Sequence, residues 1–141
     1  MNELLKFLPL ALYFLVGLIS LVMAFKSVFA DKYLPFHEQA AARPWNGIEN
    51  PLKLVILSLL RLGGLGFLVI AILLLVFPVV TYFFPNRFFQ FSIPVIALIY
   101  CTGLFINNYL LYKCTKADAP WKSSLYAMVV LVAGIIISIF N

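Results

Sequence analysis

Charge is what this chain of 141 residues has least of. Asp, Glu, Lys and Arg together make up 11%, where soluble proteins carry about 25%. So few charges cannot clothe a water-facing surface, and an aqueous globule is excluded. The long apolar stretches hold no Asp or Glu at all. That excludes proton or cation exchange driven by intramembrane carboxylates, and an intramembrane aspartyl protease with it. A single histidine, His37, rules out bis-histidine haem ligation within the chain and speaks against a zinc enzyme with three protein ligands. The two cysteines, Cys101 and Cys114, form no CxxC pair. On one helix they would stand ~20 Å apart, far beyond the ~7 Å reach of a disulfide. No cofactor and no metal are expected.

What the chain has instead is hydrophobicity. Apolar residues make up 65%, against roughly 45–50% in soluble proteins, and mean hydropathy is +1.08. Four runs carry it: Phe7 to Phe25, Leu62 to Val80 extended backward to Pro51, Phe88 to Tyr112, and Ser123 to Phe140. Each approaches the ~20 residues that a helix needs to cross a ~30 Å hydrocarbon core, and none shows the alternation of a barrel strand. The expected fold is an all-α transmembrane bundle of four antiparallel helices, one transmembrane domain over 1–141, with helices at about 5–29, 51–80, 88–112 and 121–140.

Residues 31–50 form the one long connection, expected as a loop with a single short helical turn over residues 37–42. Asn50 before Pro51 reads as an N-cap followed by a first-turn proline. Pro85, Asn86 and Arg87 read as a tight turn, and Pro120 as another first-turn proline. Basic residues crowd one side of this topology: Lys26, Lys32, Arg43, Lys53, Lys113, Lys116 and Lys122, against Lys6 and Arg87 on the other. The positive-inside bias puts the first and third connections in the cytoplasm. Val28-Phe29-Ala30 resembles a signal-peptidase site, but the preceding apolar run is longer than a signal peptide's and Lys26 interrupts it, so an uncleaved helix is expected.

Few polar residues enter the apolar runs. Arg61 lies eight positions beyond Lys53, roughly 12 Å deeper along the helix. Two readings stay open for it. It either snorkels to the lipid phosphates, or pairs with Asn107 and Asn108 on the next helix in a polar niche for an anionic headgroup or small acid. Ser124 and Tyr126 would complete that niche from the fourth helix. The asparagines alternatively glue helices together. In the loop, His37 beside Glu38 offers acid-base or metal chemistry or a merely solvated pair, and Trp45 is a further candidate. Small residues recur at helical spacing: Gly17, Ser20, Ala24 and Ser27 on the first helix, Ser124, Ala127, Gly134 and Ser138 on the fourth, and Gly63, Gly64 and Gly66 on the second. They point to close helix packing. Tyr82, Phe83, Phe84, Phe88 and Phe89 at one end, with Trp45, Tyr112 and Trp121 at the other, read as interfacial belts.

Pro-Phe-His-Glu at 35–38, Trp45, Leu-Arg-Leu-Gly-Gly at 60–64 and Ala-Pro-Trp at 119–121 together resemble a family of small bacterial four-helix integral membrane proteins. That family has no assigned activity, so the resemblance implies a bundle in a bacterial inner membrane and carries over no site residues. Size and helix count also suit the membrane-associated eicosanoid and glutathione enzymes, but EQAAARPWNGIEN lacks the Arg and Asn-Glu spacing of that group. The expected function is a non-catalytic lipid-binding or accessory subunit, its partners membrane lipids (anionic ones included), a partner membrane protein or further copies of itself, and no nucleic acid. The competing classes are an oligomeric transporter or channel and a membrane enzyme acting on a lipophilic substrate.

Overall fold

The computed structural model describes the backbone of residues 3–84 and 86–140, with side chains from residue 7 onward. Pro85 and the Lys6 side chain, which enter the turn and orientation expectations, lie outside the described residues. Five α-helices follow one another: α1 (Glu3–Val28), α2 (Pro35–Ala41), α3 (Asn50–Phe83), α4 (Arg87–Thr115) and α5 (Trp121–Ile139), with a 3-10 turn at Trp45–Gly47 between α2 and α3. No strand occurs among the described residues. All but α2 are long and apolar enough to cross a membrane. The all-α bundle of four antiparallel helices is therefore what the chain forms.

The helix ends deviate from expectation where capping decides them. Glu49, not Asn50, is the N-cap of α3, because its carbonyl already accepts the first helical bond, from the Lys53 amide at 3.0 Å. Pro120 caps α5 from outside rather than sitting in its first turn. Asn86 is extended and its side chain accepts from the Phe88 amide at 2.9 Å, a conventional N-cap for α4. The connection over 31–50 is more ordered than its composition implies. Pro35, with its fixed φ, opens α2 two residues before the expected turn. The Tyr33 hydroxyl donates to the Arg43 carbonyl, and Tyr33 stacks edge-on against Trp45 at 4.9 Å. Lys53 lies over the Trp45 ring at 5.7 Å. The Gln39 side-chain oxygen accepts from the Asp118 amide at 2.9 Å. These contacts fold the connection into a cap across one end of the bundle.

α1 packs on α3 and α5, α4 packs on α5, and α3 meets α4 only lightly. The core lies where the first three surround Tyr13, Val16, Leu74, Phe77 and Leu131, all essentially unexposed. The small-residue stripe of α1 faces inward, with Gly17, Ser20, Ala24 and Ser27 all buried. The three glycines of α3 diverge. Gly64 lies against Ser27 and Val28, Gly66 receives the Tyr100 ring, and Gly63 faces open space. They span less than one helical turn, and each step rotates by about 100°. Tyr100 is the strut of the loose α3–α4 seam, its hydroxyl donating to the Gly63 carbonyl at 3.1 Å and its ring edge-on to Phe67 at 5.5 Å.

The outside is apolar. Leu54 (68% exposed), Leu62 (65%) and Ile99 (67%) are typical of many large hydrophobic side chains left uncovered. Exposed area totals 9162 Å², where a compact soluble protein of this mass exposes roughly 7,400 Å². So many uncovered large apolar side chains mark a surface made for contact with lipid or protein.

Candidate functional site

The loose seam opens into a lateral cavity of about 420 Å³ on the cap side of Tyr100. Its walls come from Ile56, Leu59, Leu60, Gly63 and Phe67 of α3, Leu104 and Asn108 of α4, and Met23 and Ser27 of α1. Phe36 and His37 of α2 roof it, with Tyr33 and Leu34 just before them. The five α3 positions fall on one face because they are spaced at three and four residues. No charged side chain lines the cavity.

His37 carries the chemistry. Its Nδ1 is buried without a hydrogen-bond partner, and its ring lies 4.1 Å from that of Phe36. Burial pushes the imidazole below its ordinary pKa of 6.5, so the neutral ring presents one nitrogen as donor and the other as acceptor at pH 7. A buried polar atom without a partner is costly, and the His37 side chain is also part of the cavity wall. Glu38 is the next residue on α2, turned about 100° away and exposed; the two do not form an acid-base pair in the cavity. No group of His, Cys, Asp and Glu able to hold a metal occurs among the described residues.

The depressed pKa has a testable sign. The unfolded chain takes up a proton near the ordinary value while the folded chain resists it, so stability is full above about pH 6.5 and declines as pH falls toward the folded value. His37 is the only histidine. Thermal denaturation between about pH 7 and 5.5 should show this decline in the wild type and a flatter profile in His37→Gln. Parallel profiles would show that the ring is not desolvated.

Of the residues singled out in sequence, the structure brings Asn108 and Ser124 together, Asn108 Nδ2 donating to Ser124 Oγ at 3.3 Å. Asn107 is exposed and its Nδ2 donates to the Gly103 carbonyl of its own helix at 3.0 Å. Arg61 is exposed and hydrogen-bonds to neither asparagine among the described residues. It lies about 140° around α3 from Ile56, off the cavity face. The Tyr100–Gly63 bond also sets the antiparallel register, leaving Asn108 about six residues, ~9 Å, nearer the cap than Arg61. Tyr126 is 66% exposed. Trp45 holds the cap together from outside the cavity. Thr102, another polar residue of α4, donates to the Leu98 carbonyl at 2.8 Å, so it and Asn107 turn to their own helix instead of forming a polar stripe.

Sequence reading missed that His37 and Asn108 share a cavity. The available signal was the spacing of Leu34, His37 and Ala41, which marks one face of a short helix rather than a loop. No protein-family model, curated protein sequence or solved structure matches this chain.

Proposed function

We propose that this chain is a non-catalytic integral membrane protein of a bacterial inner membrane that holds one uncharged amphiphile in the His37 cavity. The two polar side chains His37 and Asn108 in the wall of an otherwise mostly apolar cavity, with no charged lining side chain among the described residues, carry the reading. The volume of about 420 Å³ lies within the ~300–1,000 Å³ range of small-molecule sites. A charged head would be buried there without a counterion, which is strongly unfavourable; a hydroxyl, carbonyl or amide head is not. The seam faces sideways, so an acyl or prenyl chain enters from the lipid while its head meets His37 and Asn108 near the boundary. The exposed apolar shell supports membrane residence, and the resemblance of the short motifs to those of small bacterial bundles is the ground for the compartment. The basic residues of the cap and the α4–α5 connection support a cytoplasmic location for that end.

The test is to purify the protein in mild detergent, extract it and identify bound molecules by mass spectrometry. Wild type should retain a neutral amphiphile. A Cβ added at Gly63 meets no neighbouring atom within 4 Å, and Gly63 lines the cavity, so Gly63→Leu adds bulk at its wall and should abolish retention. His37→Phe removes one buried hydrogen bond to the ligand and should weaken retention about tenfold. Identical bound molecules in all three proteins would remove the cavity as the site.

A further inference from the structure

The opposite end of the bundle carries a second, chemically different cavity of about 410 Å³. Its polar walls are Arg87 and Gln90 from α4, Thr81 from α3 and Ser138 from α5. Among the described residues, Arg87 is the only charged side chain lining it. The N-terminal end of α4 adds its positive dipole on the same side. An apolar groove between α1 and α3 adjoins this pocket, sharing Phe7, Leu10 and Tyr82 with it and continuing along Ala11, Phe14 and Val79.

We infer that this paired pocket and groove binds an anionic phospholipid, the phosphate at Arg87 and one acyl chain in the groove. A guanidinium presents its N–H donors in a planar fork that matches two phosphate oxygens, and the hydroxyls and amide beside it supply further donors. Free phosphate would satisfy Arg87 but leave the groove empty; a phospholipid fills both. The exposed aromatics Tyr82, Phe83 and Phe88 surround this end, as at the headgroup level of a bilayer. The site is separate from the His37 cavity and faces the other membrane boundary.

The experiment reconstitutes the protein in nanodiscs of phosphatidylcholine with a minority of phosphatidylglycerol and counts lipids retained after detergent extraction by native mass spectrometry. Wild type should keep phosphatidylglycerol in preference to phosphatidylcholine. Arg87→Gln should reduce that preference about tenfold, and Arg87→Lys should fall between them because an ammonium binds as a point charge. Ala11→Trp, which blocks the groove from an exposed position, should lower retention with Arg87 intact. Arg61→Gln and Gly63→Leu should leave the preference unchanged, which separates this site from the His37 cavity. A wild type without preference overturns the proposal before any variant is made. So does an unchanged preference in Arg87→Gln, or thermal protection by inorganic phosphate in detergent equal to that by phosphatidylglycerol.

Discussion

Gly64→Val should destabilise the bundle by about 2–3 kcal/mol, the range for overpacking a tight contact. A Cβ built at Gly64 falls 2.8 Å from Val28 Cγ2 and 2.9 Å from both Ser27 Cβ and the Val28 backbone nitrogen. Two of those atoms cannot rotate away, so α1 and α3 must separate. Lipid offers no compensating hydrophobic drive between helices, and lost van der Waals contact along the interface is lost outright. The adjacent Gly63 provides the control. Its Cβ meets nothing within 4 Å, so Gly63→Ala should stabilise by up to ~1 kcal/mol through helix propensity alone. Thermal denaturation followed by tryptophan fluorescence in one detergent compares the two. Equal midpoints would contradict the close approach of α1 and α3.

Tyr13→Ala should cost about 3–5 kcal/mol, in the range for deleting a large core aromatic. Tyr13 has 0% exposure and its ring meets Phe77 at 5.8 Å. Gly134 lies beneath it so closely that a Cβ there would be 2.5 Å from the ring. The hydroxyl shares a 3.3 Å hydrogen bond with Ser138. One side chain therefore joins α1, α3 and α5, and its removal leaves a void on all three. Tyr13→Phe, which loses only the hydrogen bond, should cost about 1 kcal/mol. Adding volume from the other side, Tyr13→Ala with Gly134→Leu should recover part of the loss. A double variant no more stable than Tyr13→Ala would show that the void is not shared between α1 and α5.

The four long helices were legible in the sequence because a coarse rule marks them, an uninterrupted run of apolar residues long enough to cross a bilayer. Helix ends were less legible. α4 runs past the last apolar residue to Thr115, where the Thr115 hydroxyl bonds back to the Leu111 carbonyl at 2.7 Å and Lys116 takes the left-handed conformation, φ 58°. Small-residue spacing identified which face of α1 turns inward, since only that face tolerates a neighbouring backbone. The site was legible in part. Asn108 and Ser124 both lie near the α4–α5 connection, and sequence distance alone brings them close. Depth estimated from flanking lysines placed Arg61 beside the asparagines, but the observed register sets Asn108 about six residues nearer the cap, and rotation, on which depth carries no information, takes Arg61 off the cavity face. The role of His37 was hidden for a different reason. The seven residues of α2 are too few to form a stable helix alone, so its orientation is set by contacts with α4 and the α4–α5 connection.

The Gln39–Asp118 hydrogen bond joins positions 79 residues apart, so this fastening of the cap cannot form before residue 118 has been synthesised. While the chain emerges from the ribosome, α1 and α3 can pair early, but the contacts of α2 with α4 and with Asp118 become available only later. The last fastening of the His37 roof thus comes late, and a chain truncated before residue 118 should lack it.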